Sequence, residues 1–394
     1  MESFRSLKNI CAIILFCAAM TMAASAQTFT SLASFNLING ENPYFGSLVV
    51  GSDGNLYGTT NAGGTNASGT VFDVTTTGVL TTLHSFSTDG AFPDSGLVLG
   101  SDGNFYGTTS GGSFRGQGTA YKLTPGGTLT TFYDFCSQAN CFDGGRPQGG
   151  LVQGANGSLY GTTTTGGAHG AGTVFAITTT GALITLYSFC AQTNCADGWI
   201  VNSALTRASN GKFYGVTTYG GANGWGTVFS ITAAGTLTTL HSFVFTDGAN
   251  PFGGLVQASD GNLYGSTSGG GRAGEGTLFR MSKTGELATI HNFCATAYCP
   301  DGLAPYGTLV QGSNGDLYGT TEGGGTLNRG TVFEITKGVL TTLHSFGGAD
   351  GSSPYAGLVQ DSSNGTLYGT TYSGGNLSCI FYGTGCGTVF SLAP

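Results

Sequence analysis

The stretch GSDGNLYGTT at Gly51–Thr60 occurs seven times in variant form, and its tyrosine marks each copy: Tyr57, Tyr106, Tyr160, Tyr214, Tyr264, Tyr318 and Tyr368. The intervals are 49, 54, 54, 50, 54 and 50 residues. Fifteen residues after the tyrosine comes the aromatic of GTVF or its variant: Phe72, Tyr121, Phe175, Phe229, Phe279, Phe333 and, after a longer gap, Phe390. An apolar stretch follows, of which Leu80–Phe86, LTTLHSF, is the type. The 54-residue copies are the three that carry a C-x4-C pair, so the extra residues are loop insertions into a common unit of about 50 residues.

Each unit reads as four short strands: GLVQ-like, NLYGTT, GTVFxIT and LTTLHSF. They are rich in β-branched and aromatic residues and bounded by Gly, Asp and Asn. Asp-Gly at 53, 102 and 260 and Asn-Gly at 210, 314 and 364 fall between the first and second strands, where a tight hairpin needs positive φ. In LTTLHSF, strict alternation predicts Leu80, Thr82, His84 and Phe86 on one face and Leu83 on the other, so both faces are covered. Four-stranded antiparallel units of this length, covered on both faces, predict an all-β, seven-bladed propeller over 27–394. A linear β-solenoid is the rival. The phase of the repeat predicts closure. Thr28–Phe35, TFTSLASF, matches a fourth strand, and the sequence ends just after a third strand, so the two fragments make one blade and remove an open edge.

Composition narrows the function. Of 394 residues 72 are Gly, charged residues are 8 per cent, and the formal net charge is −8, which excludes a polybasic nucleic-acid surface. Gly does not recur every third residue and Pro is 9, so the chain is not collagenous. Residues 1–26 carry Arg5 and Lys8, then an apolar run from Ile10 to Ala23, then Ala24-Ser25-Ala26, the form of a cleavable export signal. Beyond it no apolar run is long enough to span a bilayer. The expectation is a secreted monomer, extracellular or periplasmic. Eight cysteines then remain, in local pairs: Cys136 with Cys141, Cys190 with Cys195, Cys294 with Cys299, and Cys379 with Cys386. In an exported chain such pairs read as disulfides, and zinc is disfavoured because no C-x2-C knuckle occurs and the nearby histidine position is tyrosine in two of the blades concerned. No cofactor or metal is expected, since the glycine-rich loops join strands without GK[ST] and no D-x-D-x-D-G loop occurs.

The seven copies of (G)S(D/N)GxLYGTT, xGGxxGxGTVF and LTTLHSF resemble the GloVer (Gloeo/Verruco) tandem-repeat family of secreted bacterial proteins, over residues 28–394. The resemblance implies a propeller-like secreted protein, and it brings no catalytic residue or ligand to carry over. Members often end in a surface or sorting anchor, whereas this sequence stops at Pro394, directly after its last predicted strand. The kelch pattern and the S-x-D-x-G-x-T-W box of sialidases are both absent.

In a four-stranded meander the loops after the second and fourth strands share one end. Here that end collects the GG-rich loops and all four cysteine pairs, which makes it the expected ligand face. A D-G-x-x-P-aromatic pattern leads into the first strand of several units: Asp247 with Phe252, Asp301 with Tyr306, Asp350 with Tyr355, and Pro43 with Tyr44. Turn chemistry and packing explain it most simply. A functional reading is a ring of carboxylates and aromatic rings around the channel mouth, extended by Asp89, Asp143 and Asp197. Trp199 and Trp225 break the repeat and are candidates for contacting a ligand. His84, His241, His291 and His344 share a slot that also takes Ala33, Tyr133 and Tyr187, which reads as packing. His169 alone among these histidines lies in a loop. Arg115, Arg272 and Arg329 occupy equivalent loops, and Glu275 and Glu322 lie on the same face.

Three functions remain. The first is a non-catalytic binding or interaction propeller for a polysaccharide or an envelope protein. The second is a carbohydrate-active hydrolase or lyase, for which Glu275, Glu322, Asp301 and His169 are the residues to search. The third is a structural surface or matrix protein.

Overall fold

Each LYGTT strand pairs antiparallel with the GTVF strand after it so that a glycine faces an aromatic ring: Gly58 lies opposite Phe72, and Gly161 opposite Phe175. A Cβ on Gly58 would sit 2.6 Å from the Phe72 ring and 2.7 Å from Leu48, which is why the slot holds glycine. The last threonine of the first strand meets the first of the second, with Thr60 and Thr70 hydroxyls 2.8 Å apart and the same contact closing at Thr371 and Thr388. The S(D/N)G turn also has a partner in the strand. The hydroxyls of Tyr57, Tyr106 and Tyr264 donate to Asp53, Asp102 and Asp260 at 2.8–2.9 Å. Where the turn carries asparagine, Asn156, Asn210 and Asn314 donate instead to Tyr160, Tyr214 and Tyr318. The D/N-G-x-x-Y spacing is thus a turn-to-strand hydrogen bond.

The computed structural model describes residues 27–376, 379 and 384–393. The export signal expected at 1–26 lies outside the described residues. The described strands form seven four-stranded antiparallel sheets. In blade 1 the strands run Val49–Val50, Leu56–Thr60, Thr70–Val74 and Leu80–Ser85. Blade 7 is built from both ends of the chain: Thr28–Ser34 pairs antiparallel with Thr388–Ala393 and completes the sheet of Val359–Gln360 and Leu367–Thr371. The protein is a seven-bladed β-propeller closed by its N-terminal strand, as the phase of the repeat predicts. No helix among the described residues is long and apolar enough to cross a membrane.

The hydrophobic core lies between blades. One cluster joins Tyr57, Val71 and Phe86 of blade 1 to Leu97, Phe105 and Tyr121 of blade 2. The aromatic that ends each outer strand meets the GTVF aromatic of the next blade edge-on, from Phe86 with Tyr121 at 5.2 Å to Phe346 with Phe390 at 5.3 Å. Phe35 with Phe72, at 5.0 Å, carries this contact across the closure. Burying such a ring is worth roughly 1.5–3 kcal/mol, and an edge-on pair adds about 0.5–1.5 kcal/mol.

Alternation in LTTLHSF is broken. Phe72 pairs with Thr82 but Val71 pairs with His84, so Leu83 is the extra residue of a β-bulge. Thr82 and His84 therefore face opposite sides of the sheet, contrary to the expectation from simple alternation. The irregularity recurs in every blade, and the bulged residue (Leu83, Leu186 or Leu240) packs into the neighbouring inter-blade core. Packing between blades, rather than strand propensity, selects that geometry. Disulfides join Cys136 to Cys141, Cys190 to Cys195, Cys294 to Cys299, and Cys379 to Cys386.

Candidate functional site

The segments that lead into the innermost strands fold over one end of the channel, beside the loops that join second to third strands. Isolated bridges tie the two sets together, Ala91 to Gly111 and Trp199 to Tyr219 among them. Each of these segments except that of blade 4 has a proline, and the residue after it faces the mouth region. That residue is Asp94, Gln148 and Asn202 in blades 2 to 4, with Val201 in place of proline in blade 4, and Phe252, Tyr306, Tyr355 and Tyr44 in blades 5, 6, 7 and 1. One half of the rim is polar and the other aromatic. Blade 1 also carries one more residue between Pro43 and Leu48 than blade 5 has between Pro251 and Leu255, and this places Phe45 directly after Tyr44.

Phe45 uses that extra reach to lie against rings from three other blades: Phe252 at 4.3 Å, Tyr355 at 5.6 Å and Tyr306 at 6.2 Å. Around it Phe252 meets Tyr306, Tyr306 meets Tyr355, and Tyr355 meets Tyr44, each at 5.4 Å. Tyr372, in the slot after LYGTT in blade 7, adds contacts of 5.4 Å to both Tyr44 and Tyr355. All six rings are partly exposed. A cavity of about 230 Å³ continues along the channel, lined by Phe45, Gln148, Asn202, Phe252 and Tyr306, with Leu48 and Leu97 of the inner strands. A second depression of about 290 Å³ adjoins Tyr355 and Tyr372 and includes Glu41 and Asn42. A larger groove, about 400 Å³, lies at the opposite end among the tight turns of blades 5 and 6, around Asp260, Arg280 and Asp316. It contains none of the clustered rings of the mouth.

Two carboxylates border the aromatic cluster. Asp94 is 4 per cent exposed; the Asn61 amide donates to one of its oxygens and Gln148 Nε2 to the other at 3.3 Å. Burial pushes its carboxyl above the ordinary range, against the pull of Ser110, Gln148, Asn61 and Arg146. Glu322 accepts the Tyr355 hydroxyl at 2.9 Å. Tyr44 feels both acids: burial first, then Asp94, its tyrosine neighbours and Glu322, push its hydroxyl up to about 12. Burial and Glu322 raise Tyr355 as well. These tyrosines are neutral near pH 7 and present hydroxyls beside apolar faces.

The expected aromatics Tyr44, Phe252, Tyr306 and Tyr355 therefore converge. The aspartates do not join them. Asp247, Asp301 and Asp350 accept from His241, His291 and His344 on the outermost strands at 3.0, 2.9 and 2.8 Å, and His84 approaches Asp89 at 2.7 Å. In blades 2 and 3 the partners are tyrosines, with Tyr133 donating to Asp143 and Tyr187 to Asp197 at 2.8 and 2.9 Å. The ring of carboxylates expected at the mouth is thus a set of clasps on the outer rim. It also corrects the reading of the histidine slot as packing: the slot supplies a hydrogen bond to the Asp-Gly turn. Where Ala33 replaces the histidine, Asn39 replaces the aspartate and closes a local turn with Asn36.

Trp199 and Trp225 both stand on this face, 40 and 38 per cent exposed. Trp199 packs on Tyr219 and Trp225 on Phe245, each with ring centroids 5.3 Å apart. His169, Arg115, Arg272 and Arg329 are exposed on second-to-third-strand loops, and Glu275 is partly buried on the loop that carries Arg272. Among the described residues, no three of His, Cys, Asp and Glu are grouped as metal ligands. Sequence reasoning missed Phe45, Asp94, Tyr219, Phe245 and Tyr372. Aligning the units by proline and leucine would have exposed the insertion that carries Phe45, and the slot after LYGTT, which holds Asn61, Ser110, Thr164, Thr218, Ser268, Glu322 and Tyr372, is itself visibly irregular.

The fold is shared with solved structures of low sequence identity. The extracellular domain of a "putative hybrid two component system" from B. thetaiotaomicron superposes with a TM-score of 0.58 at 12% identity, covering 93% of this chain and 40% of that one. A "putative 6-phosphogluconolactonase" from Bacteroides fragilis gives 0.50 at 18% identity, covering 79% and 87%. These likenesses are of fold. No curated protein matches the chain. The model of the Gloeobacter/Verrucomicrobia repeat matches residues 18–206 and 191–390, nearly the whole sequence with its seven repeats, and the chain belongs to that family.

Proposed function

We propose that this protein is a secreted, non-catalytic propeller that binds a polysaccharide at the aromatic mouth of its disulfide-bearing face. The observation that carries the reading is the convergence of Tyr44, Phe45, Phe252, Tyr306 and Tyr355, from four blades, opposite the polar half-rim of Asp94, Gln148 and Asn202. Sugar rings offer apolar C–H faces and equatorial hydroxyls. Partly exposed aromatic faces bordered by fixed amides and carboxylates complement both. The four disulfides fit an oxidising compartment, and the Ala24-Ser25-Ala26 pattern supplies the export signal of this proposal, which places Gln27 at the mature N-terminus.

The test is retention of the exported protein on gels containing cellulose, xylan, mannan, β-1,3-glucan or polygalacturonate, with mass spectrometry of soluble products. We expect retention on at least one gel without product, and its loss in Tyr306→Ala. Passage through every gel unretarded overturns the reading.

A second reading, a hydrolase or lyase, draws on Asp94 and Glu322. They border the same cluster in different environments, one buried and biased towards its protonated form, the other bonded to Tyr355. Oligosaccharides released by the wild type but not by Asp94→Asn or Glu322→Gln would replace binding with turnover.

A further inference from the structure

Beside the mouth cluster stands a second exposed aromatic pair that breaks the repeat. Trp199 and Tyr219, which lead into blade 4 and leave its second strand, pack ring on ring at 5.3 Å and are each 40 per cent exposed. Tyr219 lies close enough to Tyr306, which leads into blade 6, to add to the rise of its hydroxyl. From Tyr306 the contacts continue to Tyr355 and on to Tyr44 and Tyr372 in steps of 5.4 Å. The ring-to-ring steps, 5.3 Å within the Trp199–Tyr219 pair and 5.4 Å from Tyr306 to Tyr355 and on to Tyr44 and Tyr372, are each comparable to one pyranose residue. A lone sugar would cover few of these rings.

The charge beside these rings has one dominant sign. Asp94, Glu322 and Glu41 border the mouth or its adjoining depression, and burial raises Glu41 as it does Asp94. Arg146 is exposed and acts on Asp94 from the polar half. A polyuronate laid over the rings would bring carboxylates against these acids, whereas a neutral chain would bring hydroxyls from which they can accept hydrogen bonds.

Resting on the reading of the mouth as a glycan site, we propose that the ligand is a neutral polysaccharide chain, held lengthwise over several subsites from Trp199 and Tyr219 to Tyr44 and Tyr372. Trp199 and Tyr219 form the distal subsite, outside the cluster around Phe45. A short oligosaccharide occupies the central rings, and added residues gain the distal pair.

The experiment uses the exported protein and oligosaccharides of two to six residues prepared from whichever neutral polysaccharide retains it, with Kd measured by calorimetry. Oligogalacturonates of the same lengths are the charged comparison. Affinity is expected to rise at least tenfold from two to five residues. In Trp199→Ala/Tyr219→Ala that rise should flatten while affinity for the disaccharide stays at the wild-type value, which also reports an intact mouth. Affinity independent of length, equal losses for short and long ligands in the double variant, or tighter binding of oligogalacturonates overturns the proposal while leaving glycan binding intact. Failure to bind any glycan overturns both.

Discussion

Replacing Asp247 with alanine separates the structural role of the Asp-Gly turns from a ligand role. In the native protein one oxygen of Asp247 accepts from His241 Nε2 at 3.0 Å and the other from the Val244 amide at 3.0 Å. The backbone carbonyl of the same residue accepts the hydroxyls of Thr277 and Thr289 at 3.1 and 3.2 Å, and the next residue, Gly248, lies so close to Thr267 and Thr277 that a Cβ would approach within 2.6–2.8 Å. Asp247 thus fixes the turn that seats blade 5 against the outer strand of blade 4. The side chains of His241 and Asp247 are 22 and 24 per cent exposed, so solvent screens part of the attraction. Two hydrogen bonds to a charged, partly screened acceptor give an expected loss of about 1–3 kcal/mol for Asp247→Ala. For a chain of this size that lowers Tm by roughly 1–4 °C. His241→Ala should cost less, because the amide bond survives. Coupling in the double variant should be about 0.5–1 kcal/mol by urea unfolding. Retention on the polysaccharide gel should be unchanged in all three. The reasoning is refuted if Asp247→Ala melts like the wild type yet loses retention, since that would move this carboxylate from the clasp to the ligand.

The remaining expectations follow from the same contacts. Phe86→Ala, which removes a fully buried ring that meets Tyr121 across a blade boundary, should cost about 3–5 kcal/mol in chemical denaturation. Phe45→Ala should leave stability nearly intact and weaken glycan retention severalfold in affinity electrophoresis, because the ring is partly exposed and contacts three blades across the mouth. Reduction of the Cys136–Cys141, Cys190–Cys195 and Cys294–Cys299 bonds, each closing a sequence separation of 5, should cost about 2 kcal/mol apiece on the loop-entropy account without changing retention. For Asp94, burial raises the folded-state value above the ordinary 3.8, so the folded protein holds its proton more tightly than the unfolded chain and stability falls as pH rises through that window. Asp94→Asn should therefore raise Tm at pH 7 relative to the wild type, with the difference disappearing below about pH 3.8, as followed by calorimetry across pH.

The fold was legible because each blade repeats the same solution. Tyr57 with Asp53, Gly58 under Phe72, and Thr60 beside Thr70 are local pairs that leave a fixed spacing in the sequence, and fixed spacings survive without any knowledge of the third dimension. Closure was legible for the same reason, as a displaced fourth strand. The bulge at Leu83 was not, because alternation gives no sign that inter-blade packing will insert a residue there. The aromatic members of the mouth were found through the residue after proline, but the aspartates a few positions earlier were placed with them wrongly. Closeness in sequence does not fix distance from the channel axis: within that short span the chain crosses from the outer strand to the inner one, so His241 holds Asp247 at the rim while Phe252 reaches the centre.

The division between repeated and unrepeated residues also bears on where function resides. Threonine pairs and inter-blade rings occur around the whole propeller and the clasps at six of its seven boundaries, and this repetition is what similar interfaces require. A ligand on the axis meets all seven blades at once and gains nothing from their being alike; it needs different groups at different angles. The mouth has that character. Three consecutive blades offer Asp94, Gln148 and Asn202, four offer Phe252, Tyr306, Tyr355 and Tyr44, and a one-residue insertion in a single blade sends Phe45 across the opening. Packing does not explain the aromatic departures, since those rings remain partly exposed where a core residue would be covered. Restoring regularity is therefore the sharpest discriminator between an interaction protein and a structural one. Deleting Phe45, so that blade 1 returns to the length of the others, should preserve or raise Tm while abolishing glycan retention. A loss of folding with retention following it downward would assign the insertion to the architecture instead.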